Sequence, residues 1–597
     1  MQFSGIHLPG QVDVNDDTNL ITQIVKQKLI QINSRGLFHC LAIILVCLVT
    51  MIVYSPGLSG PLVLDDIPNL YHLFRFSEGA VSWLDAVHLV PNGTGRPVAI
   101  LSFMANLLIS PDNVWALKFT NLLIHVSCGL LIYRLSRLLL DIDIHDEKHS
   151  HYVALGIMAL WLLSPFLLST VLYVIQRMAQ LETLFVLAGL VLYTNGRINL
   201  EQNKTPGISL IVTCFLVMWP LATLSKQNGI LLPLLVLAIE FFFFYRKDNY
   251  AGSGKLRTWL VLLTCIPLLL FCIAVYLSEY SLLDYSGREF SLVERLLTEP
   301  RILLDYIANL LIIPGASPMS LFHDDYAKST GLLSPITTLP SLLIPVMVMV
   351  LAFITRKSSA GKILFGLVFF YAAQIVESTI IPLELYFEHR NYLPAFGIYF
   401  SVVYGIYFLL KKINFHTLAI VTLLIYPLTF SILTYQRATI WQKRSSIYFL
   451  SELTHPDSPR VNEGLAYYYL QMHKPEDSLR YLDKVLSAHP RYRPPGFYFK
   501  YLLAHCQGHI PMQERDYKIL SGINSLTDKL STVNYLRMFV ASVESGDCDS
   551  LDLPRISDQL DGFAGNATDP EGNANVKALL ARLRVYINRN SSHLQTY

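Results

Sequence analysis

The sequence predicts an all-α, polytopic membrane protein with a second helical domain at its C-terminal end. Of its 597 residues 53% are hydrophobic and only 15% are charged, and the mean hydropathy is +0.42. Such a composition is too apolar for a soluble chain of this size. After residue 434 the sequence turns polar and helix-forming, which separates a membrane part at 36–434 from a C-terminal part at 435–597.

Charge and cysteine usage narrow the class further. The net charge is +2, and the sequence contains no run of Lys and Arg that could bind successive phosphates of a nucleic acid. A nucleic-acid partner is therefore not expected. The eight cysteines show no CxxC or Cys/His spacing, and no metal site is predicted from them. Cys506 and Cys548 lie in the polar C-terminal part, where a disulfide outside the cytoplasm and two free thiols both fit the sequence.

Residues 1–35 are polar and are predicted to form a cytoplasmic segment with a short amphipathic helix. Its cations Lys26, Lys28 and Arg35 precede the first apolar stretch, and the positive-inside rule therefore places the N-terminus in the cytoplasm. That stretch, FHCLAIILVCLVTMIVY, is followed by no small-residue cleavage site, so we expect it to be retained as the first span.

Apolar segments long enough to cross a bilayer recur through the membrane part, about eleven in all. Cations such as Arg246 and Lys247 cluster in the loops that this count assigns to the cytoplasm. An odd number of spans places the C-terminal part on the extracytoplasmic side. The spans predicted after the first are 114–139, 152–172, 179–196, 206–224, 229–245, 258–278, 336–355, 363–382, 393–410 and 416–434.

Two long segments, 57–113 and 279–335, are predicted to be external loops. The first contains the adjacent carboxylates Asp65 and Asp66 and short apolar stretches, which we expect to lie along the membrane as interfacial helices. A carboxylate pair beside the membrane is a candidate for acid/base chemistry on a lipid-borne substrate. A capping or turn pair before Pro68 is the alternative interpretation.

Charged residues at the outer ends of other spans are expected to join this pair in one polar rim. Such a rim suits glycosyl transfer from a lipid phosphate, because a carboxylate takes the proton of the acceptor hydroxyl while cations hold the leaving phosphate. For each cation alone, snorkelling or simple carboxylate pairing is the competing interpretation. The predicted phosphate-binding residues are Arg177, Lys226, His389 and Arg390, and the predicted supporting residues are Arg96, Glu377, Asp324 and Glu388, the last as a partner that fixes Arg390.

No cofactor is predicted. The run His323, Asp324 and Asp325 offers too few ligands to argue for a bound metal, and a solvated loop is the favoured interpretation. Use of a divalent cation stays open.

The C-terminal part is predicted to be a tetratricopeptide-like helical-repeat domain. Leu465, Ala466, Ser478 and Leu482 have the spacing of one tetratricopeptide helix pair, with Asn462 in place of the usual Trp. Because a solenoid needs about three units, 440–458 and 493–545 are expected to be degenerate repeats. The tail GFAGNATDPEGNAN is expected to be a loop before a final helix.

The order of these motifs resembles the membrane glycosyltransferases of the C-type fold. LDDIPNL, VLYVIQRMAQLETL, SKQNGILLP and ESTIIPLELYFEHRNYLP follow one another as in that family, and the chain up to about residue 490 is similar to the transmembrane and tetratricopeptide-repeat O-mannosyltransferases. The resemblance implies a catalytic base at Asp65 or Asp66, a polyprenyl-phosphate sugar donor, and a protein Ser or Thr or a glycan as acceptor. Gln227 stands where relatives commonly carry Glu.

The predicted function is therefore an inverting glycosyltransferase at the extracytoplasmic face of a membrane, preferably the bacterial inner membrane. Two alternatives remain open. One is a ligase or polymerase that moves glycans from a polyprenyl pyrophosphate, and the other is a non-catalytic scaffold or a transporter. Transporters place charges at the midplane of discontinuous helices, whereas the charges here cluster at one predicted face.

Overall fold

The computed structural model describes residues 36–89, 96–144, 146–244, 252–278, 283–286, 288–311, 320–412, 416–488, 495–520, 530–564 and 576–587. Several predicted features lie outside these residues. They are the N-terminal amphipathic helix within 1–35, most of the loop ahead of the final helix, and the parts of the external segments at 90–95, 279–282 and 312–319.

Within the described residues the chain is all-helical and contains no strand, as predicted. The helices of the membrane part are α1 (Gly36–Ser59), α2 (Asp66–Ser77), α3 (Trp83–Leu89), α4 (Pro97–Ile109), α5 (Val114–Asp143), α6 (Glu147–Leu162), α7 (Pro165–Leu172), α8 (Val174–Glu201), α9 (Gly207–Ser225), α10 (Gln227–Phe244), α11 (Ser253–Leu277), α12 (Leu292–Leu311), α13 (Thr338–Thr355), α14 (Ser359–Gln374), α15 (Ala395–Lys412) and α16 (His416–Ile440). The C-terminal helices are α17 (Arg444–Thr454), α18 (Pro459–Gln471), α19 (Pro475–Ala488), α20 (Pro495–Gly508), α21 (Glu514–Leu520), α22 (Leu530–Glu544), α23 (Leu553–Ala564) and α24 (576–587).

Eight of the described helices are long and apolar enough to cross a membrane, or nine if the bent pair α6–α7 is one span. They are α1, α5, α8, α9, α10, α11, α13 and α15. The predicted number of eleven is therefore not reached by this measure. The pair α6–α7 bends by 45° at Pro165, whose ring cannot continue a regular helix.

The predicted span at 363–382 is shorter in the structure, because α14 ends at Gln374. The chain then follows a non-helical course, and Arg295 of α12 explains why. Its guanidinium donates hydrogen bonds to the backbone carbonyls of Glu377 at 2.6 Å, Thr379 at 2.8 Å and Leu383 at 2.5 Å. An arginine that takes up the carbonyls of a segment satisfies them without an α-helix.

The helices α14 and α15 pack with their backbones in close contact. A Cβ atom at Gly397 would lie 2.2 Å from the carbonyl oxygen of Gly366, and one at Gly366 would lie 2.1 Å from that of Gly397. Small residues permit this approach between helices in a membrane, where packing rather than the hydrophobic effect drives association. The glycine pair therefore sets the spacing of α14 and α15, and both helices lead directly to the charged segment between them.

The C-terminal helices pack on one another, most extensively α18 on α19 and α20 on α22. Leu465 and Ala466 of α18 and Ser478 and Leu482 of α19 are buried between the two helices, as their spacing indicates. Farther along, Cys506 and Cys548 form a disulfide within a second hydrophobic cluster. Of the two possibilities that the sequence left open for these cysteines, the structure contains the bonded one.

The contact between Gly366 and Gly397 predicts a strong effect of one added methyl group. Gly397→Ala is expected to destabilise the protein by about 1–3 kcal/mol, because overpacking forces the helix backbones apart. Gly405→Ala on the same helix is the control, since its Cβ would lie 3.7 Å from Ile363, an ordinary contact. Thermal unfolding of the detergent-solubilised variants measures both. Equal midpoints for the two variants would contradict this packing.

Candidate functional site

The backbone turns sharply between α1 and α2, immediately before the two aspartates. Leu64 has a φ of 44°, a left-handed conformation that a residue with a branched side chain rarely adopts. The turn is held by Asp66, whose carboxylate accepts the backbone N–H of Val63 at 3.0 Å and that of Ile175 at 2.7 Å. Both oxygens of Asp66 are thus used to join this turn to the start of α8.

Lys118 of α5 stabilises the backbone just before the same turn. Its buried ammonium group donates hydrogen bonds to the carbonyls of Gly60 at 3.0 Å and Pro61 at 3.1 Å. Burial raises the pKa of Asp66, while its backbone hydrogen bonds and the charge of Lys118 act in the opposite direction. Asp66 is fully buried, so its role in the structure is to hold the loop.

Asp65 differs from its neighbour because it is exposed and lines a cavity of about 480 Å³. Its backbone N–H donates to the hydroxyl of Tyr173 at 2.9 Å, and its carbonyl accepts the amide of Asn69 at 2.7 Å. The backbone is therefore fixed from both sides. Of the two predicted bases, Asp65 is the one whose carboxylate a ligand can reach.

The cavity collects charged residues from distant parts of the chain. Six of the residues predicted from the sequence line it, and four do not. Those that line the cavity are Asp65, Arg96, Lys226, Glu377, His389 and Arg390. Those outside its lining are Asp66, Arg177, Glu388 and Asp324.

Lys226 enters the cavity from the tight turn between α9 and α10. A Cβ at Gly229 would lie 2.3 Å from the backbone of Ala222, so only glycine allows the chain to fold back here. The Lys226 ammonium lies 2.5 Å from Oε1 of Glu377. This ion pair joins the α9–α10 turn to the non-helical segment after α14.

Glu377 is buried among cations. Burial alone would raise its pKa, but the charges of Lys226 and Arg390 lower it to about 2. Burial, together with Lys226, holds the pKa of His389 well below its usual range. His389 is therefore neutral at physiological pH and offers one N–H donor without a charge.

Arg390 is anchored by its own loop. Its guanidinium donates to the carbonyl of Leu385 at 2.8 Å and to that of Glu384, and Nε lies 4.0 Å from Oε2 of Glu377. A second buried carboxylate, Glu299, lies 3.9 Å from the guanidinium. Arg390 thus supplies positive charge to the cavity, while most of its guanidinium N–H groups donate to partners within the protein.

Arg96, at the start of α4, contributes a cation with a neutral partner. Its Nε donates to the side-chain oxygen of Gln227 at 3.0 Å. Because Gln227 carries no charge, this contact orients the guanidinium without neutralising it. The neutral Gln227 therefore leaves more positive charge at this wall of the cavity than a glutamate at this position would.

Arg177 lies away from the cavity. It is fully buried, stacks on Phe103 at 4.3 Å and donates to Asn121 Oδ1 at 2.7 Å and to the Leu117 carbonyl at 2.8 Å. Further bonds reach Ser102 and Asn106. Since its donors hold α4, α5 and α8 together, its position favours a structural role over phosphate binding.

Two other predicted residues also have partners that the sequence did not suggest. Both oxygens of Glu388 accept hydrogen bonds from Arg437 of α16 at 2.7 Å, so the expected pair with Arg390 is not formed. Asp324 accepts the Ser458 hydroxyl at 2.5 Å and the Arg460 N–H at 3.2 Å. These contacts place the 320–330 segment against the C-terminal helices.

Sequence reasoning missed four residues that build the site. Lys118 interrupts an apolar stretch and Arg437 closely follows one, and an ionisable residue at such a place is a signal of a buried partner. Tyr173 and Arg288, which both line the cavity, carried no comparable signal. Their position depends on contacts between segments far apart in the sequence.

The described residues contain no group of three or more His, Cys, Asp or Glu side chains arranged to hold a metal ion. Comparison of the chain with family models, with curated proteins and with solved structures finds no match.

The ion pair of Glu377 predicts a defined pH dependence of stability. The carboxyl has a pKa of about 2 in the folded state and 4.5 when unperturbed, so it contributes about 3 kcal/mol above pH 4.5. This contribution is lost as the pH falls from 4.5 towards 2. Thermal unfolding of wild type between pH 7 and pH 3 should show the decline.

Glu377→Gln should unfold at a lower temperature than wild type at pH 7 and should show a weaker decline below pH 5. Glu78→Gln, at an exposed carboxylate just after α2, is the control and should follow wild type. A parallel decline in wild type and Glu377→Gln would show that this ion pair does not determine acid stability.

Proposed function

We propose that the chain is a membrane glycosyltransferase that moves a sugar from a polyprenyl-phosphate donor to an acceptor hydroxyl at the extracytoplasmic membrane face. The observation that carries the proposal is the cavity itself. One exposed carboxylate, Asp65, shares it with Arg96, Lys226 and Arg390, and Lys226 lies in the turn between two helices long and apolar enough to cross a membrane. The cations can bind the phosphate of a lipid-linked donor, and the carboxylate can take the proton of the acceptor hydroxyl.

In the proposed reaction Asp65 is the general base. The acceptor oxygen attacks the anomeric carbon of the sugar as its proton passes to the Asp65 carboxylate. The bond between that carbon and the phosphate oxygen breaks, and the polyprenyl phosphate leaves with the electron pair. Direct displacement inverts the anomeric centre. No second carboxylate acting as a nucleophile is required.

Arg96 is the best-suited ligand for the donor phosphate. Its planar fork can give a phosphate two charge-assisted hydrogen bonds, and its partner Gln227 is neutral. Lys226 adds a positive charge nearby, although Glu377 neutralises part of it. The neutral His389 supplies a further N–H donor.

The finer topology is part of the proposal. We place the N-terminus in the cytoplasm, eleven spans in the membrane and 435–597 outside the cytoplasm as a tetratricopeptide-like domain, in a bacterial inner membrane. The disulfide between Cys506 and Cys548 supports an oxidising compartment for this domain. The proposed donor site and the acceptor, a protein hydroxyl or a glycan, lie on that side.

Asp65→Asn is expected to lower the transfer rate about 10²–10⁴-fold with little change in thermal stability. It removes the base, keeps a side-chain oxygen that can accept from the Tyr173 hydroxyl, and leaves the backbone hydrogen bonds of residue 65 in place. The assay uses the full chain in lipid nanodiscs with undecaprenyl-phosphate mannose and undecaprenyl-phosphate glucose, and it measures sugar transfer to peptide or water. Asp66→Asn is the matched neighbour and should instead lower the unfolding temperature, since Asp66 holds the Leu64 turn.

Full activity of Asp65→Asn would refute the assigned base. Absence of transfer by the wild type from either donor, combined with normal folding, would favour the scaffold interpretation.

Arg96→Gln is expected to raise the donor KM by about tenfold or more, because a charge-assisted phosphate contact contributes at least 1.4 kcal/mol. The acceptor KM should stay unchanged. Arg75→Gln, an exposed arginine on α2 outside the cavity lining, controls for the overall positive charge of this face. Equal donor KM values for the two variants would assign the phosphate to another cation.

A further inference from the structure

A second cavity, of about 660 Å³, adjoins the one that contains Asp65. Three residues, Arg288, Glu384 and Phe387, line both cavities and therefore form a common wall. The far side of the second cavity belongs to the C-terminal domain, which contributes Pro459, Arg460 and Ala488. The cavity thus lies between the membrane part and the C-terminal helices, next to the proposed catalytic base.

The common wall is held in place by charge. Glu384 pairs with Arg460 of α18, and its oxygen also lies 3.8 Å from Arg288. Arg288 is fixed in turn by a 2.7 Å hydrogen bond from its Nε to the carbonyl of Pro382. The C-terminal domain therefore touches the wall of the donor cavity directly through Arg460.

Aromatic side chains form one part of the surface of the second cavity, between charged residues such as Asp324, Asp325 and Lys328. Phe290, Tyr326, Tyr386 and Phe387 line it, and the Tyr326 and Tyr386 rings stack with centroids 5.7 Å apart. Aromatic faces of this kind bind apolar side chains over a large area at low entropic cost. The volume lies in the range of pockets that hold a compact ligand.

Most polar side chains around these rings already have partners inside the protein. Asp324 is bonded to Ser458, Asp325 to His455 at 2.7 Å, and Lys328 to the carbonyl of Glu289. A glycan with many hydroxyls would leave several of them unpaired on entering such a site, which is costly. A peptide with apolar side chains loses less.

We propose that the second cavity binds the acceptor as an extended polypeptide segment. An apolar or aromatic side chain of this segment lies against Phe290 and Tyr326, and the adjoining Ser or Thr reaches past Phe387 into the cavity of Asp65. This inference rests on the proposed glycosyl transfer and adds the acceptor class and its place of binding. The C-terminal domain forms part of the site through Arg460 and Ala488.

The test narrows the second cavity without touching the first. Ala327 and Ala488 are exposed at its rim and do not line the cavity of Asp65. The variant Ala327→Trp fills the entrance while removing no contact. Ala541→Trp, on the exposed side of α22 and away from both cavities, is the matched control. A second blocking variant, Ala488→Trp, guards against a local folding defect at residue 327.

Two measurements use the full chain in nanodiscs. The first is the Kd of a fluorescent heptapeptide with Phe on each side of a central Ser, compared with the same peptide carrying Ala at both flanks. The second is the KM of each peptide in transfer from the undecaprenyl-phosphate sugars. The Phe peptide should bind about tenfold more tightly, since burying one aromatic side chain has an effect of this size or larger.

Both blocking variants should weaken binding of the Phe peptide about tenfold or more and raise its KM equally, with the donor KM unchanged. Ala541→Trp should match wild type. Unchanged Kd and KM in both blocking variants, or preferential transfer to maltohexaose over either peptide, would overturn the inference. Transfer that still depends on Asp65 would then leave the proposed function intact, whereas loss of all transfer in wild type would remove the function itself.

Discussion

The ion pair between Glu377 and Lys226 holds together two segments that line the cavity of Asp65. A buried carboxylate is tolerated only with compensating charge, and here the compensation comes from the α9–α10 turn and from Arg390. Through this pair, a segment that leaves the helical bundle after α14 is tied to a turn more than a hundred residues earlier. The cavity exists because these two elements are kept facing each other.

The need to satisfy buried polar groups also explains why chemically similar residues have different roles here. Asp65 and Asp66 are chemically identical, yet one is exposed in the cavity and the other accepts two backbone N–H groups in the interior. Arg96 and Arg177 differ in the same way, because Arg177 spends its donors on carbonyls and amides of α4 and α5. A side chain whose hydrogen-bonding groups are all occupied within the protein stabilises the fold, whereas one of the same type with free groups is available to a ligand.

The C-terminal helices contact the residues that surround the cavity. Asp324 and Asp325, in the segment between α12 and α13, bind Ser458 and His455, and Arg460 reaches Glu384 at the wall of the cavity. The helix α18 therefore contributes one of the side chains that hold this wall in place. This contact gives the polar C-terminal helices a structural role beside the cavity where the proposed chemistry takes place.

The sequence by itself determined the helical class, the apolar membrane part, the helix pair at α18–α19 and most of the charged residues that meet in one cavity. Composition and periodicity record burial directly, and six of the ten predicted site residues line the cavity. Only the tertiary structure decided that Asp65 rather than Asp66 is accessible, that Glu388 pairs with Arg437, and that Arg295 ends the helix predicted at 363–382. These outcomes depend on which distant donor satisfies which acceptor, and a linear pattern of residue types does not contain that information.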